Sequence, residues 1–168
     1  KDFETLIDSF AMIASENPGW NLKFIGDGPD EEKLKKIISK LKLENRIFLT
    51  GALDRISLSN ELSKAKIFAL TSVTEAIPKV LLEAMAAKCA CLVTDVGDCK
   101  RVLNNAGYLA YVKDTDDISS KLNHLINDHE TRKNFSHESY VRVADFSWES
   151  YCYAHNDLYN KSIGKKFL

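Results

Sequence analysis

The sequence predicts an α/β fold in which one parallel sheet is covered by helices on both faces. Short apolar segments of strand length alternate with helical segments along most of the chain, and this alternation is typical of such sheets. The chain has 168 residues, of which 45% are hydrophobic. A chain of this size buries roughly two thirds of its unfolded surface, so we expect one globular domain that needs no disulfide or metal to fold.

Residues 1–17 carry the first helical pattern, because apolar residues recur at positions 3, 6, 7, 10 and 13. Pro18 and Gly19 end that pattern. Residues 20–26 then alternate in part between apolar and polar types, which predicts a strand. A turn at Asp-Gly-Pro, residues 27–29, leads into the next helix.

The second predicted helix begins after Asp30, whose side chain can cap it. Its acidic residues come first and its lysines last, as the helix macrodipole favours. One face of this helix is apolar, with Leu34, Ile37, Ile38 and Leu41. Residues 46–51 follow as a short buried strand.

The alternation continues with a helix at residues 57–64, a strand at 66–72 and a helix at 78–87, whose proline suits a first turn. The remaining predicted elements are strands at 91–96 and 107–112 and helices at about 115–127, 130–144 and 148–160. Four strand ends fall near residues 26, 51, 72 and 95. Parallel sheets bind ligands just beyond such ends, so we expect the functional residues there.

Composition excludes several classes of protein. The net charge is −1 and the pI about 6.5, without the basic stripe of a nucleic-acid binder. Cys89 and Cys91 lie in an apolar run, and none of the four cysteines has zinc-ligand spacing, so we expect structural thiols. No apolar run approaches the ~18 residues of a membrane span. We expect a reducing, cytoplasmic compartment.

The segment from Ser72 to Ala86 combines the end of a strand, a short loop with Glu75 and a helix that begins near Pro78. Free N–H groups at that helix start can bind an anion such as a diphosphate. Carboxylates would repel phosphate, so we assign Glu75 and Glu83 to sugar hydroxyls. The bland alternative is a solvated helix face, because the same spacing recurs at residues 130 and 138. The apolar neighbours Leu82 and Ala84 favour a buried Glu83.

Other polar and aromatic residues invite weaker interpretations. Asp95 and Asp98 can hold magnesium, but we favour Asp98 as the cap of the helix that follows. The four histidines, at 124, 129, 137 and 155, match no ligand spacing and are expected at the surface. The aromatic residues of the last helix are expected to pack against other helices, and they are Trp148, Tyr151, Tyr153 and Tyr159.

Five ordered motifs resemble those of group 1 (family 4) retaining glycosyltransferases of the GT-B fold. Residues 75–83 match the family's pair of glutamates separated by seven residues. The other matches are Gly-Asp-Gly-Pro at 26–29, Arg-Ile-Phe-Leu-Thr-Gly at 46–51, Thr-Asp-Val-Gly-Asp at 94–98 and Phe-Ser-Trp-Glu at 146–149. The resemblance covers nearly the whole chain. It implies that the predicted parallel sheet belongs to a Rossmann-like domain, and that this domain is the C-terminal one of such an enzyme.

This resemblance implies that residues 1–168 bind a nucleotide-diphosphate sugar, and that the N-terminal acceptor domain is absent. The family transfers the sugar to an acceptor hydroxyl with retention, typically for surface polysaccharide or glycolipid, without a metal or other cofactor. Glu75 corresponds to the acid by the donor sugar, the catalytic residue, and Glu83 to the acid on the ribose. Lys1 corresponds to a diphosphate ligand whose partner arginine lies upstream, although Lys1 can also be a disordered terminal residue. The further substrate-binding positions are Gly26, Ala76, Ile77, Pro78, Lys79 and Val80.

Several expectations follow from the resemblance. Ala76 replaces the usual glycine, which bears on how closely the donor approaches the backbone, and residues 52–55 lie where the family contacts the base. The isolated domain should bind nucleotides weakly and transfer no sugar, because the acceptor site is missing. Residues 146–159 should expose apolar surface and favour self-association. Membrane association, at the inner face, would come through the absent domain.

Two other classes of protein stay open at this point. Nucleotide-sugar 2-epimerases share the fold but need further acid–base residues around the sugar, and the Phe-Ser-Trp motif favours the transferase. A non-catalytic flavodoxin-like or receiver-like module is the second alternative. A receiver would carry an acidic pair after its first strand and an aspartate after its third. This chain instead has Gly-Asp-Gly at 26–28 and ends its third strand in Leu-Thr-Ser.

Overall fold

The computed structural model describes residues 1–164 and contains five strands in that range, all paired in parallel. The strands are β1 (Leu22–Phe24), β2 (Ile47–Leu49), β3 (Ile67–Leu70), β4 (Ala90–Thr94) and β5 (Gly107–Ala110). They form two sheets, with the orders β1-β2 and β3-β4-β5. Parallel strands with intervening helices confirm the α/β prediction, but the single sheet we expected is divided in two.

Eight α-helices connect and cover the strands of the described range. They are α1 (Phe3–Ile13), α2 (Glu31–Lys40), α3 (Arg55–Lys64), α4 (Lys79–Ala86), α5 (Cys99–Leu103), α6 (Thr115–Asn127), α7 (His129–Val143) and α8 (Trp148–Gly164). A 3₁₀ turn, Ala144–Phe146, joins α7 to α8. The predicted elements are present, and most differ from the structure only at their ends.

The ends differ for local reasons. The first helix stops at Ile13 and not near residue 17, because the Asn17 side chain donates to the Ile13 carbonyl at 2.8 Å and satisfies the last turn. β1 and β2 end before Gly26 and Gly51, whose positive φ angles of 132° and 69° leave the parallel ladder. These two glycines instead form an isolated antiparallel bridge. Asp30 stands before α2 but its side chain makes no capping hydrogen bond, contrary to expectation.

Helices cover both faces of the β3-β4-β5 sheet, as predicted. Side chains of β4 alternate between two buried clusters: Ala90 and Leu92 join the first, and Cys91 and Val93 the second. The first cluster includes α1, α2 and α6, and the second includes α3, α4 and α5. All five residues of β4 are buried, so this strand lies at the centre of the molecule.

A cleft of about 1370 Å³ is lined by residues of both β1 and β3. Much of its lining is apolar, including Phe10, Phe24 and Phe68. Lys1, Gly26 and Val80 also line it. Three of the predicted substrate-binding residues therefore border one crevice.

The remaining sequence-based expectations divide into confirmed and wrong ones. Cys89, Cys91 and Cys99 are buried free thiols, and burial raises the pKa of Cys89 to about 11. All four histidines are exposed, as expected. The aromatic residues of α8 are exposed, so the prediction that they pack against other helices is wrong. No helix within residues 1–164 is long and apolar enough to cross a membrane.

Candidate functional site

The loop after β3 carries Glu75 and contacts residues at and after the end of β4. The Thr94 hydroxyl donates to the Ser72 carbonyl at 2.6 Å. The Asp98 N–H donates to the Ala76 carbonyl at 3.1 Å. Gly97, with a φ of +51°, packs so tightly that a Cβ there would lie 1.9 Å from the Glu75 carbonyl oxygen. Only glycine fits this contact without displacing the loop.

Glu75 is partly buried, with 16% of its side chain exposed, and it makes an ion pair with Lys1. Its Oε1 accepts hydrogen bonds from the Lys1 ammonium and from the Ser72 hydroxyl, the latter at 2.6 Å. Burial acts to raise the pKa of Glu75. The hydrogen bonds from Lys1 and Ser72, with the charge of Lys1, outweigh burial and lower that pKa overall. The carboxylate is therefore ionised at neutral pH.

The start of α1 brings Lys1 to Glu75. Asp2 is the N-cap, and its carboxylate accepts from the Thr5 N–H at 3.2 Å and from the Thr5 hydroxyl at 2.7 Å. Its carbonyl accepts from the Thr71 hydroxyl at 2.6 Å, which ties α1 to the end of β3. Lys1 is thus positioned against the loop after β3.

The start of α4 lies at the other end of the same loop. Pro78 is its N-cap and is buried, so the helix begins at Lys79, one residue later than predicted. Ala76, Ile77 and Lys79 are exposed. Among residues 1–164, no hydrogen bond uses the N–H of Ile77, Lys79 or Val80 as its donor. Such N–H groups at a helix start can bind an anion.

Glu83 is exposed, and the prediction that its neighbours bury it is wrong. The buried face of α4 is formed by Leu81, Ala84 and Met85, and helical spacing turns the position between them outward. Within residues 1–164, the hydrogen bonds and the ion pair of Glu75 are made with Lys1 and Ser72 and not with Glu83. The assignment of Glu83 to a ribose stays a prediction.

Gly26 is also exposed, at the end of β1. Its N–H donates to the Gly51 carbonyl at 2.8 Å, so the turns after β1 and β2 are joined. Gly26 also lines the cleft, together with Lys1 and Val80. Its role as a substrate contact stays a prediction.

Asp98, which follows β4, does not cap the helix after it as predicted. Asp98 stands before α5 but its carboxylate accepts no backbone hydrogen bond, and it pairs with Arg101 at 2.8 Å. The expected cap is therefore replaced by an ion pair. Within residues 1–164, no group of three or more His, Cys, Asp and Glu side chains is placed to hold a metal ion.

Sequence reasoning missed the residues that hold the loop, namely Thr71, Ser72, Thr94 and Gly97. Each is small, and each follows or ends an apolar strand. For the three hydroxyl residues there was an available signal in the sequence, because a hydroxyl at the buried end of a strand needs a hydrogen-bond partner. The identity of the partner depends on contacts between residues up to 69 positions apart, which no local pattern contains.

Comparison with known proteins identifies the family. The model of glycosyl transferases group 1 matches residues 1–142. An amylovoran biosynthesis glycosyltransferase from Erwinia amylovora is 29% identical over 164 residues, which is 95% of this chain and 45% of that protein. The N-acetyl-α-D-glucosaminyl L-malate synthase of Bacillus anthracis is 30% identical over 136 residues, 80% of this chain and 35% of that protein.

One solved structure covers a similar length. It is the C-terminal domain of a group 1 family glycosyl transferase from Francisella tularensis, with a TM-score of 0.79 and 25% identity, covering 86% of this chain and 78% of that one. This chain spans less than half the length of the two curated relatives above. These findings do not favour the epimerase-like or flavodoxin-like alternatives. The chain belongs to the glycosyl transferases group 1 family.

Proposed function

We propose that the chain is the donor-binding domain of a longer retaining glycosyltransferase, which moves a sugar from a nucleotide-diphosphate sugar to an acceptor hydroxyl. The observation that carries this proposal is the ion pair of Lys1 and Glu75, in the loop that leads to α4, where the N–H groups of Ile77, Lys79 and Val80 donate no hydrogen bond within residues 1–164. These groups match two chemical parts of such a donor, its diphosphate and its sugar. A diphosphate takes the cation and amides, and sugar hydroxyls take the carboxylate.

The electrostatics of these groups suit the departure of a diphosphate. Negative charge develops on the leaving group as the glycosidic bond breaks, and Lys1 and the α4 N–H groups stabilise charge at that place. Glu75 orients the sugar or supports its oxocarbenium character. Because Lys1 pairs with Glu75, a diphosphate competes with this carboxylate for the ammonium.

The remaining parts of the function depend on the rest of the protein. The chain spans 45% of the amylovoran glycosyltransferase, which supports a second domain that binds the acceptor. Without it, two reactants cannot be positioned together, so residues 1–168 alone should transfer no sugar. Relatives in polysaccharide biosynthesis support a surface polysaccharide or glycolipid product. That role would place the longer protein in the cytoplasm at the inner face of the membrane.

Titration with UDP, GDP and ADP tests the site and identifies the base together. We expect the backbone amide resonances of residues 72–80 to shift with one nucleotide more than with the other two. Lys1→Gln should weaken that binding about tenfold, because it removes a hydrogen bond between two charged groups. Lys33→Gln is the matched control, since Lys33 also pairs with a glutamate, Glu4, but lies on α2 and not beside the loop after β3 in sequence.

Two results would contradict the proposal. The first is the absence of any shift at residues 72–80 with millimolar concentrations of all three nucleotides. The second is an equal loss of affinity in Lys1→Gln and Lys33→Gln, because a general effect of surface charge would then explain both. Sugar transfer by residues 1–168 alone, measured with a panel of donors and acceptors, would contradict the requirement for a second domain.

A further inference from the structure

Three hydroxyl side chains are buried at the carboxyl ends of β3 and β4, directly beneath the loop that carries Glu75. Thr71, Ser72 and Thr94 are 5%, 0% and 1% exposed, respectively. A buried hydroxyl is destabilising unless it has a hydrogen-bond partner. Each of these three has one, so their partners indicate what the buried layer holds in place.

The partners are the two charged residues of the site or the backbone beside them. Thr71 donates to the carbonyl of Asp2, the residue after Lys1. Thr94 donates to the carbonyl of Ser72. Ser72 in turn donates to the Glu75 carboxylate, and it is the hydroxyl of this layer that contacts a charged side chain directly.

The two oxygens of Glu75 are not equivalent. Ser72 and Lys1 both donate to Oε1, and within residues 1–164 no hydrogen bond reaches Oε2. Two donors on one oxygen restrict the rotation of the carboxylate, and they thereby restrict the direction of the other oxygen. Oε2 is therefore the oxygen that can accept a hydrogen bond from a bound molecule.

We propose that Ser72 is a positioning residue for Glu75, holding Oε1 so that Oε2 meets a hydroxyl of the donor sugar, while Thr94 fixes the backbone of Ser72. The proposal rests on the proposed function, since it takes Glu75 as the residue that contacts the sugar. It predicts separate effects on the two halves of a donor. Ser72 should matter for the sugar and not for the diphosphate.

The hydrogen bond of Ser72 differs from the bonds that a purely structural serine would make. The spacing Ser-x-x-Glu is also that of a helix capping box, but the helix begins at Lys79, and the Ser72 hydroxyl bonds to a carboxylate and not to a backbone N–H. A serine that only satisfies the core would bond to a backbone carbonyl. Ser139 does so, with 0% exposure and a 2.8 Å bond to the Ala106 carbonyl, and it provides a matched control.

The test is the titration of the Glu75 carboxyl carbon by NMR in the wild-type chain, Ser72→Ala and Ser139→Ala. Removing the Ser72 hydroxyl removes a hydrogen bond to the charged form, so the pKa of Glu75 should rise in Ser72→Ala and stay unchanged in Ser139→Ala. The same variants are then titrated with the preferred nucleoside diphosphate and its sugar conjugate. Ser72→Ala should bind the sugar conjugate about tenfold more weakly than wild type and the diphosphate equally well.

Ser72→Cys replaces the hydroxyl by a somewhat larger thiol, which is a weaker donor, and it should give an intermediate pKa of Glu75 if Ser72→Ala does not fold. An unchanged pKa of Glu75 in Ser72→Ala or Ser72→Cys overturns the proposal. Equal losses of affinity for the diphosphate and the sugar conjugate also overturn it, because the effect would then be general. If the wild-type chain binds no nucleotide, the proposed function fails, and the Glu75 titration still decides whether Ser72 controls this carboxylate.

Discussion

Replacing Gly97 by alanine should displace the loop that carries Glu75. The added Cβ would lie 1.9 Å from the Glu75 carbonyl oxygen, 2.8 Å from its carbon and 3.0 Å from the Ala76 carbonyl oxygen. A carbon atom normally stays about 3.3 Å or more from a carbonyl oxygen. The two backbones must therefore separate by about 1.4 Å, and the hydrogen bond from the Asp98 N–H to Ala76, at 3.1 Å, cannot survive that movement.

The expected loss of stability has two parts. Alanine at a φ of +51° costs about 1 kcal/mol relative to glycine, and the collision with loss of one hydrogen bond adds about 1–2 kcal/mol. The total of about 2–3 kcal/mol corresponds to a fall in Tm of roughly 5–10 °C for a chain of this size. Thermal unfolding followed by circular dichroism measures this fall. Chemical shifts at Glu75 report the displacement of the loop.

Two glycine controls separate the cost of the backbone conformation from the cost of the collision. Gly51 has a φ of +69° but open space around its Cβ position, so Gly51→Ala should cost only the conformational part, about 1 kcal/mol. Gly28 has open space and no positive φ, so Gly28→Ala should be close to neutral. Equal losses in Gly97→Ala and Gly51→Ala, with no shift at Glu75, would refute the close contact.

Three further predictions concern pH, the last helix and the thiols. Because the folded-state pKa of Glu75 is lowered, its stabilising contribution is present above the unfolded value and is lost as the pH falls through the folded one. Glu75→Gln should therefore flatten the acid side of the stability curve, and an unchanged urea midpoint profile below pH 5 would contradict this. Trp148 is exposed on α8, so Trp148→Ser should reduce self-association in sedimentation experiments, and a wild-type chain that is monomeric at all concentrations would count against the exposed-surface argument. Cys152 is half-buried and Cys89 is buried with a raised pKa, so a thiol reagent should modify Cys152 first in mass spectrometry. Faster modification of Cys89 would show that the core around it opens.

The order of elements was predictable because it depends on local patterns. Apolar periodicity located the helices and strands to within a few residues, and the glutamate pair with its flanking motifs led to the family. The pairing of the strands was harder to predict, because it depends on contacts between residues that are distant in the sequence. The aromatic residues of α8 look the same in sequence whether they pack inside or face outward.

The errors at the site have similar causes. Glu83 has apolar neighbours in sequence, but the residues that share its face of the helix are three and four positions away. The buried residues of α4 lie on another face. Asp98 has the right residue type and position for a cap, but Arg101 one turn later offers it a charge. Local preference predicted where these residues lie in the chain. Competing partners decided what they bind.

The central position of β4 has a consequence for motion. Its alternate side chains enter both buried clusters, so a slip of one residue would exchange the two sets of side chains and disrupt both. We expect its amides to exchange with deuterium only when the whole domain unfolds, whereas those of exposed loops exchange through small local openings. Thr94 ends this strand and Gly97 follows it closely. We therefore expect Thr94 and Gly97 to belong to the cooperative unit that unfolds last. The loop that carries Glu75 can then rearrange locally while β4 stays folded.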